Sequence, residues 1–146
     1  MGQPFADDVG ELFEQYVGRQ LDSIPGAQVH REITYGKDSK RSVDWIVVCQ
    51  NAVLLVEVKS VRPTDPVRLG SPEAWDELSK KLSHAFKQIE TTEQLIAVGN
   101  TAFSANPRHL PRLGVIVTME PFAFANARPI RDRYVASLNI PTTLCF

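Results

Sequence analysis

Apolar residues recur along this chain with two different periods. From Val9 to Leu21 they keep helical spacing (Val9, Leu12, Phe13, Tyr16, Val17, Leu21), the stripe of an amphipathic helix that Asp7 or Asp8 can cap. Gly10 inside that helix costs about 1 kcal/mol relative to Ala, which points to a close backbone approach to the sheet. Gln28 to Tyr35 alternates Val29, Arg31, Ile33 and Tyr35 against polar neighbours, a strand with one exposed face. Gly36 to Arg41 is a polar, basic loop. Ser42 to Ser60 then carries two apolar runs joined at Gln50-Asn51, and Val53 to Val58 is apolar on both faces, which suits the middle of a sheet covered on both sides. After a loop rich in Pro and Gly, Ser71 as N-cap and Pro72 at the first helical position start a long helix. Its Trp75, Leu78, Leu82, Ala85, Phe86, Ile89 and Ile96 hold helical spacing to about Val98. Asn100 to Arg112 is irregular and Leu113 to Met119 is a third core strand. Phe122 to Phe124 can close over the sheet edge, Arg128 to Leu138 reads as a short basic helix, and Pro141 to Phe146 as a last strand. This order of elements predicts an α/β sandwich, a central mixed sheet flanked by helices.

Three charged residues interrupt the apolar runs. With Gln50 and Asn51 at the centre of a tight turn, and Asn at the position that tolerates positive φ, Val48 faces Val53, Ile46 faces Leu55 and Asp44 falls opposite Glu57. The two-residue period then puts Asp44, Glu57 and Lys59 on one face of the sheet. Two carboxylates about 5 Å apart, at an effective dielectric of about 20, repel by roughly 3 kcal/mol. Two arrangements can offset that repulsion, and charge placement weighs them equally. One is a divalent cation with oxygen ligands, Mg²⁺ or Mn²⁺, bound by both carboxylates with Lys59 beside it. The other is a strand-end salt bridge of the carboxylates with Lys59 or Arg41. A three-residue turn would shift the register by one and separate the acids.

Asp44, a strand, and then Glu57-Val58-Lys59 also resembles the D…(D/E)xK signature of the PD-(D/E)XK nuclease superfamily. Within it, VDWIVV…VLLVEVKS is most similar to the nuclease-related (NERD) and archaeal Holliday-junction-resolvase branches. Val43 stands where the superfamily pattern has Pro, a departure that leaves the ligands in place; the resemblance covers about the first two thirds of the chain. It implies a restriction-endonuclease-like fold and metal-dependent hydrolysis of DNA. Asp44, Glu57 and the Val58 carbonyl would hold Mg²⁺ or Mn²⁺, with Lys59 as a catalytic residue. The resemblance also implies a first-helix Glu at the metal site: Gly10 to Glu14 matches the resolvase spacing, and Glu11, adjacent to Gly10, is the alternative. Gln88, on the helix after the ExK strand, becomes a phosphate contact in this reading and a plain helix-surface residue in the bland one. His84 is a weaker candidate of the same kind. Lys40 and Arg41 in the loop before Asp44, and Arg62 in the loop after Lys59, are placed to touch a phosphate backbone.

With 146 residues, 43% apolar and 23% charged, the chain has the composition of one soluble globular domain. No run approaches 18 apolar residues and the first residues lack a signal-peptide pattern, so neither membrane insertion nor secretion is expected. Cys49 and Cys145 show no metal-ligand spacing, which suits a reducing cytoplasm. The net charge of −1 gives no global basic footprint, although local patches can still bind DNA. Three scattered histidines argue against zinc or a His-based triad. The chain stops on an apolar strand, so a longer polypeptide is an option. Dimerisation would suit two-strand cleavage, but no residue pattern demands it. The expected function is a metal-dependent DNA endonuclease; the alternative is a catalytically silent nuclease scaffold that binds nucleic acid or a protein partner.

Overall fold

Val53–Lys59 takes the middle of a five-stranded mixed sheet, where a segment apolar on both faces can be covered from both sides. The computed structural model describes residues 3–61, 65, 71–120 and 142–145. In chain order these form α1 (Gln3–Leu21), β1 (Gln28–Arg31), β2 (Thr34–Tyr35), β3 (Lys40–Arg41), β4 (Trp45–Val48), β5 (Val53–Lys59), α2 (Pro72–Ala97), a 3-10 turn (Thr101–Phe103), β6 (Arg112–Thr118) and β7 (Thr142–Cys145). The sheet order is β1-β4-β5-β6-β7. The first three strands are antiparallel, and β6 and β7 continue parallel to β5. Among the described residues no helix is long and apolar enough to cross a membrane.

The alternation along β4 and β5 sorts their side chains between two layers. Ile46, Val53, Leu55 and Ile116 pack under Leu78, Leu82, Ala85, Phe86, Ile89 and Ile96 of α2. Trp45, Val47 and Val56 face the other way, onto Val17 of α1, with Phe13 and Leu21 alongside. The expected α2 stripe is thus buried, except that the Trp75 side chain lies outside the described residues.

Helix α1 departs from expectation in three ways. It starts at Gln3, so Asp7 and Asp8 lie within it and neither caps it. Leu12 and Tyr16 are exposed, leaving Phe13, Val17 and Leu21 as the stripe that meets the sheet. The close approach is made by Gly18 and not by Gly10. A Cβ on Gly18 would sit 2.3 Å from Trp45 Cζ2, whereas one on Gly10 would meet Ser60 Oγ at 3.4 Å.

The single strand expected over Gln28 to Tyr35 is also two. β1 joins the main sheet, while β2 leaves it to pair with β3 in a separate ribbon. Lys40 and Arg41 therefore sit on a strand of this ribbon rather than in a loop, and its turn uses positive φ at Gly36 and Ser39. The Phe122 to Phe124 closure, the Arg128 to Leu138 helix and Arg62 lie outside the described residues.

Candidate active site

The hairpin register matches the count from the sequence: Val48 pairs with Val53, Ile46 with Leu55 and Trp45 with Val56. A two-residue turn at Gln50-Asn51 is closed by the Cys49 N–H, which donates to the Ala52 carbonyl at 2.9 Å. The reason given for Asn51 does not hold, however, because Ser39 is the non-glycine described residue with positive φ. The ladder stops at Trp45 and Val56, one position short of Asp44 and Glu57. There the Asp44 side chain replaces the next rung, with Oδ2 accepting from the Val58 N–H at 2.7 Å. Across the same strand end, Lys59 Nζ donates to Glu57 Oε1 at 2.7 Å.

A β-bulge sets up this arrangement. Between the pair Arg31–Trp45 in the sheet and the pair Thr34–Arg41 in the ribbon, Glu32 and Ile33 stand opposite Ser42, Val43 and Asp44. Two residues face three, the one-residue excess of a bulge, a local device that re-aims a side chain. Helix α2 satisfies the freed groups. The Val43 N–H donates to the buried Thr92 Oγ1 at 3.1 Å. Gln88 Nε2 donates to the carbonyls of Arg41 at 2.8 Å and Ser42 at 3.0 Å. Ser42 Oγ accepts from the Ile33 N–H at 2.9 Å and donates to the Val43 carbonyl. Gln88, expected as a phosphate contact, thus spends its amide donors on the backbone two and three residues before Asp44.

The electrostatics show what the site leaves unbalanced. Glu57 is only 5% exposed. Burial first, and then repulsion from Asp44, push its carboxyl up to about 7, with Lys59 pulling the other way. Glu57 Oε2 is buried and has no hydrogen-bond partner among the described residues. The Asp44 carboxyl is raised above its ordinary value by burial and by Glu32, against the Val58 amide and Lys59. Glu14, on α1, is raised by burial, then by Asp44 and Glu32. The Glu14 carboxyl is therefore within the field of the Asp44 carboxylate, while the exposed Glu11 accepts from Gln15 Nε2. Of the two salt bridges expected as alternatives, Lys59–Glu57 forms at 2.7 Å, and Arg41 instead meets Glu32 at 3.5 Å.

These groups suit a hard cation. Asp44, Glu57 and the Val58 carbonyl offer only oxygen, and the unpartnered Glu57 Oε2 is a buried acceptor with capacity to spare. Among the described residues no three His, Cys, Asp or Glu side chains converge as ligands. The donor set is therefore two carboxylates plus backbone, the kind of site in which Mg²⁺ keeps several waters.

Next to the bulge, on the α2 side, Lys40, Arg41 and Gln88 come together with His84 and Lys87 around a cavity of about 560 Å³. Glu32, Lys87 and Thr92 are residues around this site that the sequence did not single out. Glu32 is drawn in only by the β1–β4 pairing, and Lys87 reads as one more solvated lysine until α2 is laid beside β3. No family model, curated protein or solved structure matches the chain.

Proposed function

We propose that the chain is a metal-dependent endonuclease that hydrolyses DNA phosphodiester bonds, a PD-(D/E)XK nuclease with a restriction-endonuclease-like fold. The observation that carries this reading is Glu57 Oε2, a buried acceptor without a partner among the described residues, set against the half-buried Asp44 carboxylate that raises its proton affinity. An ordinary strand end has no use for that pair, and one ammonium at 2.7 Å engages only one of its oxygens.

In this reading Asp44, Glu57 and the Val58 carbonyl hold Mg²⁺ or Mn²⁺. When bound, the cation supplies Lewis-acid polarisation of the phosphoryl group and a lowered pKa for water. Lys59 binds the scissile phosphate and orients the attacking water, and the contact with Glu57 keeps its ammonium at the edge of the carboxylate pair. Glu14 of α1, whose proton affinity is raised by burial and by Asp44, would accept a hydrogen bond from a metal-bound water. Thr92 and Gln88 are positioning residues: they fix the bulge from which Asp44 projects.

The test is a nicking assay on supercoiled and branched DNA with Mg²⁺ or Mn²⁺. Cleavage is expected in the wild type and absent in Asp44→Ala and Lys59→Ala. Cleavage that survives either substitution rejects the assignments. DNA binding without cleavage, together with no Mn²⁺ binding by calorimetry, would instead select the silent scaffold.

A further inference from the structure

The cavity between the β2–β3 ribbon and α2 has a chemistry that the metal site does not use. It is lined by Tyr35, Lys40, Arg41, Lys87 and Leu95, with Gln88 at its inner edge, and among the described residues no carboxylate lines it. Its volume of about 560 Å³ lies in the range of roughly 300 to 1,000 Å³ that small-molecule-sized ligands fill. Lys40, Arg41 and Lys87 are all exposed, and among the described residues Arg41 pairs with an acid only at Glu32, 3.5 Å away. A surface ion pair of that kind is worth little and gives way to a phosphate. Tyr35 is half-buried, and its ring is held edge-on by Phe103 at 5.7 Å between centroids. The wall of the cavity thus combines a cationic row with a braced aromatic and an aliphatic side chain.

We propose that this groove seats one nucleotide of a single strand flanking the scissile bond, so that the substrate is nucleic acid with an unpaired segment at the cut. This rests on the nuclease reading and deepens it. Two observations place the groove on the path of a bound strand. Gln88 lines the groove and bonds to the Ser42 carbonyl, and Asp44 follows Ser42 by two residues, a span of at most about 7 Å of backbone. Glu57 also shares the sheet face of Leu55, the face that α2 covers, so the groove and the Glu57 carboxylate lie on one side. The concavity decides between single strand and duplex. Duplex DNA is a stiff rod whose bases are stacked inside, and placing one of them in a cavity requires unpairing first. A single strand already offers free bases to an aromatic wall and phosphates to the lysines.

The experiment is fluorescence anisotropy of the wild-type chain in EDTA, with a short labelled oligothymidine and with a duplex of the same length. Oligothymidine should bind more tightly than duplex. Lys87→Glu, on the exposed face of α2, should weaken it about tenfold and flatten its salt dependence. Tyr35→Leu should weaken it by roughly fivefold or more through lost stacking. Circular dichroism checks the fold of the Tyr35 variant; the Lys87 variant has no packing to lose. Duplex bound as tightly as oligothymidine, Lys87→Glu binding like the wild type, or polyglutamate competing as well as oligothymidine would each overturn the proposal. The two readings fail separately: retained oligothymidine binding without cleavage removes the metal chemistry and leaves the groove, whereas cleavage with unaltered Lys87→Glu binding does the opposite.

Discussion

Replacing Glu57 with Gln keeps the shape of the side chain and removes its charge, which isolates the electrostatic cost of the site. The Glu57 carboxyl is pushed from 4.5 up to about 7 by burial and by Asp44. A folded-state value above the unfolded one means that the native state holds the proton more tightly. The wild type therefore loses stability as pH rises from 4.5 to about 7, and the loss is complete above that range. At about 1.4 kcal/mol per unit the full loss is about 3 kcal/mol. Gln does not titrate, and its carbonyl can still accept from Lys59, so most of that loss should be recovered. At pH 8, without divalent cation, Glu57→Gln is expected to be about 2 kcal/mol more stable than wild type, a rise of roughly 4–8 °C in Tm for a chain of this length. Near pH 4.5 the two should melt together. The assay is thermal unfolding of both proteins from pH 4 to 8 in EDTA, read as the difference in Tm so that other titrating groups cancel. A difference that stays flat with pH, or a Gln variant less stable at pH 8 than at pH 5 relative to wild type, would refute the reasoning.

Adding Mg²⁺ or Mn²⁺ at about 100 times its Kd should stabilise the wild type by about 2.7 kcal/mol; a Tm unmoved by cation, or moved equally in Asp44→Ala, would contradict the metal site. That stabilisation should weaken as pH falls through about 7, because proton and cation compete for Glu57; a cation shift as large at pH 5 as at pH 8 would count against it. Thr92→Val leaves the Val43 N–H buried without its acceptor and should cost about 1–3 kcal/mol in urea unfolding, with Thr92→Ser near wild type; equal stability of all three would show that the bulge is not held by α2. Gly10→Ala should be neutral or stabilising by up to about 1 kcal/mol. Gly18→Ala, whose Cβ would meet the Trp45 ring at 2.3 Å, should destabilise by about 1–3 kcal/mol or more. Like signs for the two glycine substitutions would reject the packing described for α1.

What could be read from the sequence was governed by short-range periodicity. The central position of β5, the two-residue turn and the pairing of Ile46 with Leu55 follow from counting along one hairpin, and the α2 stripe follows from helical spacing over a single segment. The bulge depends on Thr92, which lies 49 residues beyond Val43, and no local pattern announces such a partner. For the same reason Gln28 to Tyr35 reads as one strand: its alternation is unbroken, and the break at Glu32 and Ile33 exists only because the opposite strand carries an extra residue. Glu32 then reaches the acidic cluster through a strand pairing whose register no turn specified. The two glycines of α1 show the same limit. Both mark places where a Cβ is dispensable, but only the position of the Trp45 ring decides which of them is in contact.

The charged site and the fold beneath it are energetically separable, and that decides which measurements are informative. Ile46, Val53, Leu55 and Ile116 are fully buried under α2, so apolar packing holds the hairpin and the parallel strands whether or not Asp44 and Glu57 are ionised. Neutralising Glu57 relieves its burial cost and its repulsion from Asp44 whether or not a cation binds there, so a gain in stability fits both a structural salt bridge and a cation site. The two differ only in how they respond to a ligand. A salt bridge between Lys59 and Glu57 is complete in itself and gains nothing from Mg²⁺. A carboxylate pair with one unpartnered buried oxygen gains binding free energy from the cation and loses that gain when either acid is removed. The cation titration of wild type and Asp44→Ala therefore carries more weight than any single-variant melting temperature, and it needs no DNA to give its answer.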